Sequence, residues 1–303
     1  KFEQCFLSWT RAVFTRSDKN QLHHIAVDGK TMRRSFDRSK GTSPLHVVSA
    51  FATQSGLTLA QRVIAEKSGE TEALIPLLEG LELSGALISL DALYARKSLA
   101  QDIVERGADY LLALKRNNKR DHAYVVEFFR EHAFDKRATM QTVFDAFDET
   151  HGRLVRRRVF VTSEPELIEK LDDWAHLAQI IAVETIYSVN HAHGGERGSI
   201  TSDIRYFLTS SKESGQVLAA AVRDHWSIEN SLHWVLDIGF REDECRIRHR
   251  NAASNLAVIR KIAINLVKAD KSSRGSIKGK RKAAGWSNQY IPNSQLLSKI
   301  LKL

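Results

Sequence analysis

Cysteine is scarce: Cys5 and Cys245 are the only two in 303 residues, and they stand far apart in the chain. Two cysteines cannot build a disulfide framework or a cysteine zinc site, and such scarcity suits a reducing cytosol. No stretch approaches the ~18–20 consecutive apolar residues of a membrane span, so no membrane partner is expected. The opening, KFEQCFLSWTRAVF, has neither an initiating Met nor a signal-peptide pattern, which predicts a fragment lacking upstream residues. Internal repeats are absent. GSIKGK is too short in spacing for a phosphate-binding P-loop, so no ATP site is expected.

Basic charge, by contrast, is in excess. There are 45 Lys and Arg against 36 Asp and Glu, a formal net charge of +9 that favours a polyanionic partner such as nucleic acid. A hydrophobic share of 43% argues against wholesale disorder. The length allows one large domain, or one domain carrying an insertion.

Phe2, Cys5, Phe6, Trp9, Val13 and Phe14 recur at helical spacing and predict an amphipathic opening helix. A short apolar run at 25–27 ends on Asp28 and Gly29, which reads as a buried strand with an acid at its end. HVVSAFAT (46–53) and LTLAQRVIAEK (57–67), joined at Ser55 and Gly56, complete an antiparallel meander. GETEALIPLLEGL (69–81) predicts a helix with a weak point at Pro76. ALISLDALY is a strand closed by Asp91, KSLAQDIVERG a helix stopped by Gly107, and ADYLLALK another buried strand. The order β-β-β-α-β-α-β indicates an α/β protein rather than a bundle or sandwich.

From Asn117 the texture changes. A charged helix, RDHAYVVEFFREHAF, precedes a hairpin, FDAFDETHGRLVRRRVFVTS, that turns near His151 and Gly152. A short helix around 167–177 and the strands QIIAVETIYSVN and DIRYFLTSS follow. The expected organisation is the end of an N-terminal helical segment (1–20), a core in two parts (21–116 and 203–268), a β-rich insertion (117–202) and a basic C-terminal tail (269–303). At the very end, QLLSKILKL predicts a short closing helix.

The chemistry gathers on RDHWSIENSLHWVLDIGF (223–240). Val217, Ala221, Ile228, Leu232 and Val235 mark a buried helical face, while His225, Glu229, His233 and Asp237 follow at four-residue intervals as a polar stripe. That stripe is either a solvated face or a metal site; zinc is disfavoured because no matching second helix occurs. Trp226 and Trp234 read as core, with base stacking as the alternative. Asp28 and Asp91 either cap the turns that follow them or serve a ligand. A carboxylate beside apolar strands is costly unless it is paired or holds a cation, and ligands bind at strand ends in α/β sheets. Three carboxylates from two strands and a helix supply hard oxygen ligands for Mg²⁺ or Mn²⁺, and a pair of such ions suits in-line phosphoryl transfer.

Several segments together, IAVDGKTMRRS, PLHVVSAFAT, EKSGETEALIPLL, DALYARKSLAQDIVERGADYLLALKRNN, ETHGR and RDHWSIENSLHWVLDIGFREDECRIRHRNAASNLAVIRKIAINL, resemble the insertion-sequence transposases of the DDE superfamily, in their H-repeat-associated group. The resemblance implies an RNase H-like fold: a mixed five-stranded sheet flanked by helices, its first three strands antiparallel, with a largely β insertion before the helix carrying the third acid. It implies Asp28, Asp91 and Glu229 as the catalytic and metal-holding acids, with two Mg²⁺ ions and Mn²⁺ as a substitute. It further implies cleavage of double-stranded DNA at element ends, strand transfer into target DNA, a homodimer on DNA, and a bacterial cytoplasmic location at the nucleoid.

Some residues depart from the wider superfamily's Tyr, Arg, Glu, Lys signature. Val222 and His225 precede Glu229 and Leu236 follows it where that signature would stand; HWxIEN takes its place. Asp237, Glu242 and Asp243 are reserve candidates for the third acid. DALYARKS also differs from the DAMGCQ-like text of relatives, and the alternative is a decayed or domesticated relative that binds DNA without cutting it. Lys30, Arg33, Lys67, Lys115, Arg153 and Arg223 are the expected phosphate contacts, with Arg34, Arg116 and Arg156 to Arg158 beside them; ordinary solvated charge is the other reading.

Overall fold

The computed structural model describes residues 2–13, 23–64, 70–132, 141–150, 153–189, 200–270 and 274–286. The chain divides into two compact units, residues 1–86 with 224–303, and residues 87–223.

In the first unit, β1 (His23–Met32), β2 (Leu45–Ala52) and β3 (Leu57–Ile64) form the expected antiparallel meander, with β2 in the middle. Every residue of β2 is buried, the polar His46 and Ser49 among them. β1 does not stop at Asp28, as the short apolar run suggested. Asp28 pairs with Ser49, and the ladder continues through Lys30 opposite Val47 and Thr31 opposite His46. The extra length is held by polar groups: Thr31 Oγ1 meets His46 Nδ1 at 2.8 Å, and the Leu45 amide donates to Ser35 Oγ at 2.7 Å.

Helices cover this meander. α1 (Phe2–Val13) buries Phe6 and Trp9 against Val258 of α7 (Arg250–Ala269). Asn265 of α7 fastens to β3 by accepting from the Thr58 amide at 2.9 Å and donating to its carbonyl at 2.8 Å. α2 (Glu70–Glu79) retains Pro76 in its interior. The stretch expected to be a basic tail contains α8 (Ile277–Trp286). Ile277 packs on the core cluster of Ala26, Phe51, Ile228, Leu232, Val235, Leu236 and Ile264, and the Arg281 guanidinium lies 5.2 Å from the Phe240 ring centre. QLLSKILKL lies outside the described residues.

In the second unit, β4 (Ala86–Leu90) and β5 (Asp109–Leu114) are parallel and joined through α3 (Lys97–Glu105), the crossover that parallel strands require. After α4 (Lys119–His132) come β6 (Gln141–Thr150), β7 (Arg153–Thr162), α5 (Pro165–Glu169), β8 (Gln179–Val189) and β9 (Ile200–Thr209). The strand order here is β4-β5-β9-β8-β7-β6. The block read as an insertion is continuous with β5. Leu111 to Leu114 pair with Tyr206 to Thr209, and Thr209 Oγ1 donates to the Tyr110 carbonyl at 2.6 Å. The hairpin turn at His151 and Gly152 lies outside the described residues, although β6 and β7 pair as far as Thr150 with Arg153. α6 (Gly215–His225) follows β9.

Mixed α/β structure with large sheets and flanking helices is therefore what the sequence forms. Among the described residues, no helix is long and apolar enough to cross a membrane.

Candidate metal centre

Ile25, Ala26 and Val27 are fully buried and anchor β1, delivering Asp28 half-buried beside them. Facing that strand, the chain after α6 does not continue as an α-helix. Residues Glu229–His233 and Val235–Gly239 are π-helical, the wider i→i+5 turn that recurs at functional sites. Ile228, Leu232, Val235 and Leu236 take the inward side of this stretch. Glu229 and His233, four residues apart, are left to meet Asp28.

His233 Nδ1 lies 3.3 Å from Glu229 Oε2 and 3.5 Å from Asp28 Oδ2. One ligand atom from each of the three side chains falls within 4.8 Å of the others, a spacing that admits a metal ion. His233 is buried, and its Nε2 finds no hydrogen-bond partner among the described residues. The hydrogen bond to His233 pulls the Glu229 carboxyl down to about 2; burial opposes this, and the His233 charge and a hydrogen bond with Asp28 add to it. Glu229 is thus an ionised acceptor at neutral pH. The two carboxylates suit a hard divalent cation such as Mg²⁺ or Mn²⁺, and the imidazole stands against both of them.

The sequence-expected acids fare differently. Asp28 and Glu229 are brought together through His233. Asp91 belongs to the second unit, directly after β4 and ahead of a single 3-10 turn, Ala92–Tyr94. Its side chain does not cap that turn, and it pairs with Lys115 Nζ at 3.1 Å. The reserve acids surround Lys30 instead: Asp237 at 2.7 Å, Asp243 at 3.0 Å and Glu242 at 3.8 Å. Glu242 also lies 3.3 Å from Arg260. Burial works against the Lys30 charge, yet the hydrogen bonds to Asp237 and Asp243 and the charge of Glu242 raise its pKa above the ordinary lysine value.

The basic residues divide as well. The Lys30 side chain is only 10% exposed and its amine is enclosed by carboxylates, whereas Arg33 is 80% exposed with its Nε 3.2 Å from Asp243. Lys115 and Arg223 are exposed. Arg156 pairs bidentately with Asp145 at 2.8 and 2.6 Å, and Arg158 pairs with Glu184. Lys67 and the side chain of Arg153 lie outside the described residues.

Trp226 and Trp234 are not core: they are 50% and 61% exposed. They lie away from the buried face of Ile228, Leu232 and Val235, as an ordinary helical projection also has it. His233 stood in the polar stripe but received no role of its own; its four-residue spacing from Glu229 was the available signal. The pairing of Lys30 with Asp237 leaves no local trace in the sequence.

A family model described as the Transposase DDE domain matches residues 19–266. The protein named "H repeat-associated putative transposase YhhI", from Escherichia coli strain K12, is 34% identical over 296 residues, covering 96% of this chain and 75% of that protein. "Putative transposase YncI" of Escherichia coli O157:H7 is 35% identical over 291 residues, covering 96% of this chain and 72% of that one. Among solved structures, a piggyBac transposase synaptic complex with hairpin DNA matches with a TM-score of 0.48 at 10% identity, over 92% of this chain and 56% of that chain.

Proposed function

We propose, on the premise that the chain belongs to the DDE-domain transposase family, that it cuts DNA at the ends of an insertion sequence and transfers the freed strands to target DNA. The observation that carries this reading is the meeting of Asp28, Glu229 and His233 within 4.8 Å. In this reading Asp28 and Glu229 hold Mg²⁺, with Mn²⁺ as a substitute, and Asp91 at the end of β4 is the third acid of the family's triad. Two bound ions would activate the attacking oxygen and stabilise the leaving one. Glu229 needs no deprotonation to take part, since its carboxyl is already ionised at neutral pH. His233 holds the two carboxylates in place through Nδ1.

Water attacks the phosphodiester and frees a 3′-hydroxyl, which then attacks target DNA. Arg33, Lys115 and Arg223 are exposed and suit phosphate contact, with Lys67 and Arg153 kept in the same role. The β-β-β-α-β-α-β order of β1 to β5 supports an RNase H-like core, with β6 to β8 in its insertion over 117–202. A homodimer on double-stranded DNA in the bacterial cytoplasm, at the nucleoid, completes the reading. Nicking of supercoiled plasmid in Mg²⁺, lost in Asp91→Asn, is the test. Cleavage that persists in chelator would contradict it, and DNA binding without any nicking would favour the decayed relative.

A further inference from the structure

Lys30 follows Asp28 by two residues on β1, so both side chains leave the same side of the strand. Asp237 follows His233 by four residues on the facing helical stretch, the interval that stacks side chains along one face. The result is a ladder of two rungs. Asp28 Oδ2 meets His233 Nδ1 at 3.5 Å, and Lys30 Nζ meets Asp237 Oδ1 at 2.7 Å.

The steps of the two elements match. Two residues of strand advance about 6.6 Å, and four residues of the facing π-helical stretch keep pace, since both rungs close, at 3.5 and 2.7 Å. A slip of one residue in either element would therefore break both rungs at once. Apolar contact alone does not fix such a register, because Ala26, Phe51, Ile228 and Leu232 offer no directional bond. Lys30 does: its amine donates to Asp243 Oδ1 at 3.0 Å and forms an ion pair with Asp237 Oδ1 at 2.7 Å. Asp243 and Glu242 close around the same amine, and Arg260 balances Glu242, so Lys30 has little surface left for a phosphate. From the other side, Lys268 of α7 donates to the Ser231 carbonyl at 3.0 Å and holds the middle of the π-helical stretch.

We propose that Lys30 is a positioning residue: acting through Asp237, it sets the register of the π-helical stretch on β1 and so the spacing of Asp28, Glu229 and His233. This rests on the reading of Asp28 and Glu229 as ligands of a divalent cation.

The test is a calorimetric Mn²⁺ titration of the full chain, its Lys30→Met, Asp237→Asn and double variants, and Lys30→Arg. Each single loss weakens Mn²⁺ binding by about tenfold or more, as removal of a partner behind a metal ligand does. The double variant is no weaker than the worse single variant, and Lys30→Arg recovers most of the affinity. Trp174→Phe is the control for general damage, because Trp174 lies in the second unit and its Nε1 bonds Asp121 Oδ2 at 2.9 Å; its Mn²⁺ affinity stays at the parent level. If Lys30→Met does not fold, Asp237→Asn removes the same rung and leaves Lys30 its other carboxylates. Parent-level affinity in the Lys30 and Asp237 variants, alongside a loss in Glu229→Gln, overturns the proposal and leaves the metal reading standing. Absence of Mn²⁺ binding by the parent chain overturns the metal reading and this proposal with it.

Discussion

Glu229 and His233 meet across one π-helical turn, Oε2 to Nδ1 at 3.3 Å, and the contact holds the Glu229 carboxyl down to about 2. A folded value below the ordinary 4.5 means the native state favours the ionised form. That stabilisation is complete above the unfolded value and is lost as pH falls through the folded one. Glu229→Gln should therefore be less stable than the parent at neutral pH, with the gap narrowing as pH drops from 4.5 toward about 2. Urea unfolding at a series of acid pH values reads this directly; a gap constant across the window would refute it.

Two buried lysines give a slope of the same sign at high pH. Burial pushes Lys261 and Lys268 down from 10.5 to about 8, so the fold carries a cost for their charge. That cost is present below pH 8 and is relieved as pH rises from 8 toward 10.5, because there the unfolded chain binds more protons. Stability should rise across this interval in the parent and lose most of the rise in Lys261→Met with Lys268→Met. Denaturant midpoints at matched pH steps check it.

In the second unit, Trp174 Nε1 donates to Asp121 Oδ2 at 2.9 Å, with both residues buried. Trp174→Phe leaves a buried carboxylate short of a donor and should cost about 2 kcal/mol. Arg120 bonds the same carboxylate at 2.9 Å, but its side chain is 55% exposed. Arg120→Gln should accordingly cost less than Trp174→Phe. Thermal unfolding of the two variants ranks them, and equal losses would contradict the assignment.

At the start of α6, Gly215 has no room for a side chain, because an added Cβ would overlap Val143 Cγ1 on β6. Gly215→Ala should destabilise by about 1–3 kcal/mol through overpacking, and Val143→Ala in the same chain should recover most of it. Failure of the second change to rescue would place the strain elsewhere.

The strands and helices leading to the site were legible because their text is local. Period-two and continuous apolar runs marked β1 to β5, and Gly107 stopped α3. What failed was whatever depends on a distant partner. β1 outran its apolar run because Lys30 and Thr31 pair with β2, and polar pairing of that kind leaves no hydrophobic signature. Asp28 and Glu229 are readable as acids in apolar settings, and His233 as a member of the polar stripe; its contact with Asp28, far earlier in the chain, is not. Trp226 and Trp234 read as core from their size and spacing, yet they lie off the apolar face of Ile228, Leu232 and Val235 and are exposed. Lys30, taken from its charge as a DNA contact, shows the same limit: charge is visible in the sequence, and the carboxylates that enclose it are not.

The central claim is metal-dependent DNA cutting by the three acids, and supercoiled-plasmid nicking in Mg²⁺ and Mn²⁺ tests it most directly. The parent chain should nick in either ion and stop in chelator, while Asp28→Ala, Asp91→Ala and Glu229→Ala should each be silent. Nicking that survives Glu229→Ala, or that needs no metal, would contradict the account.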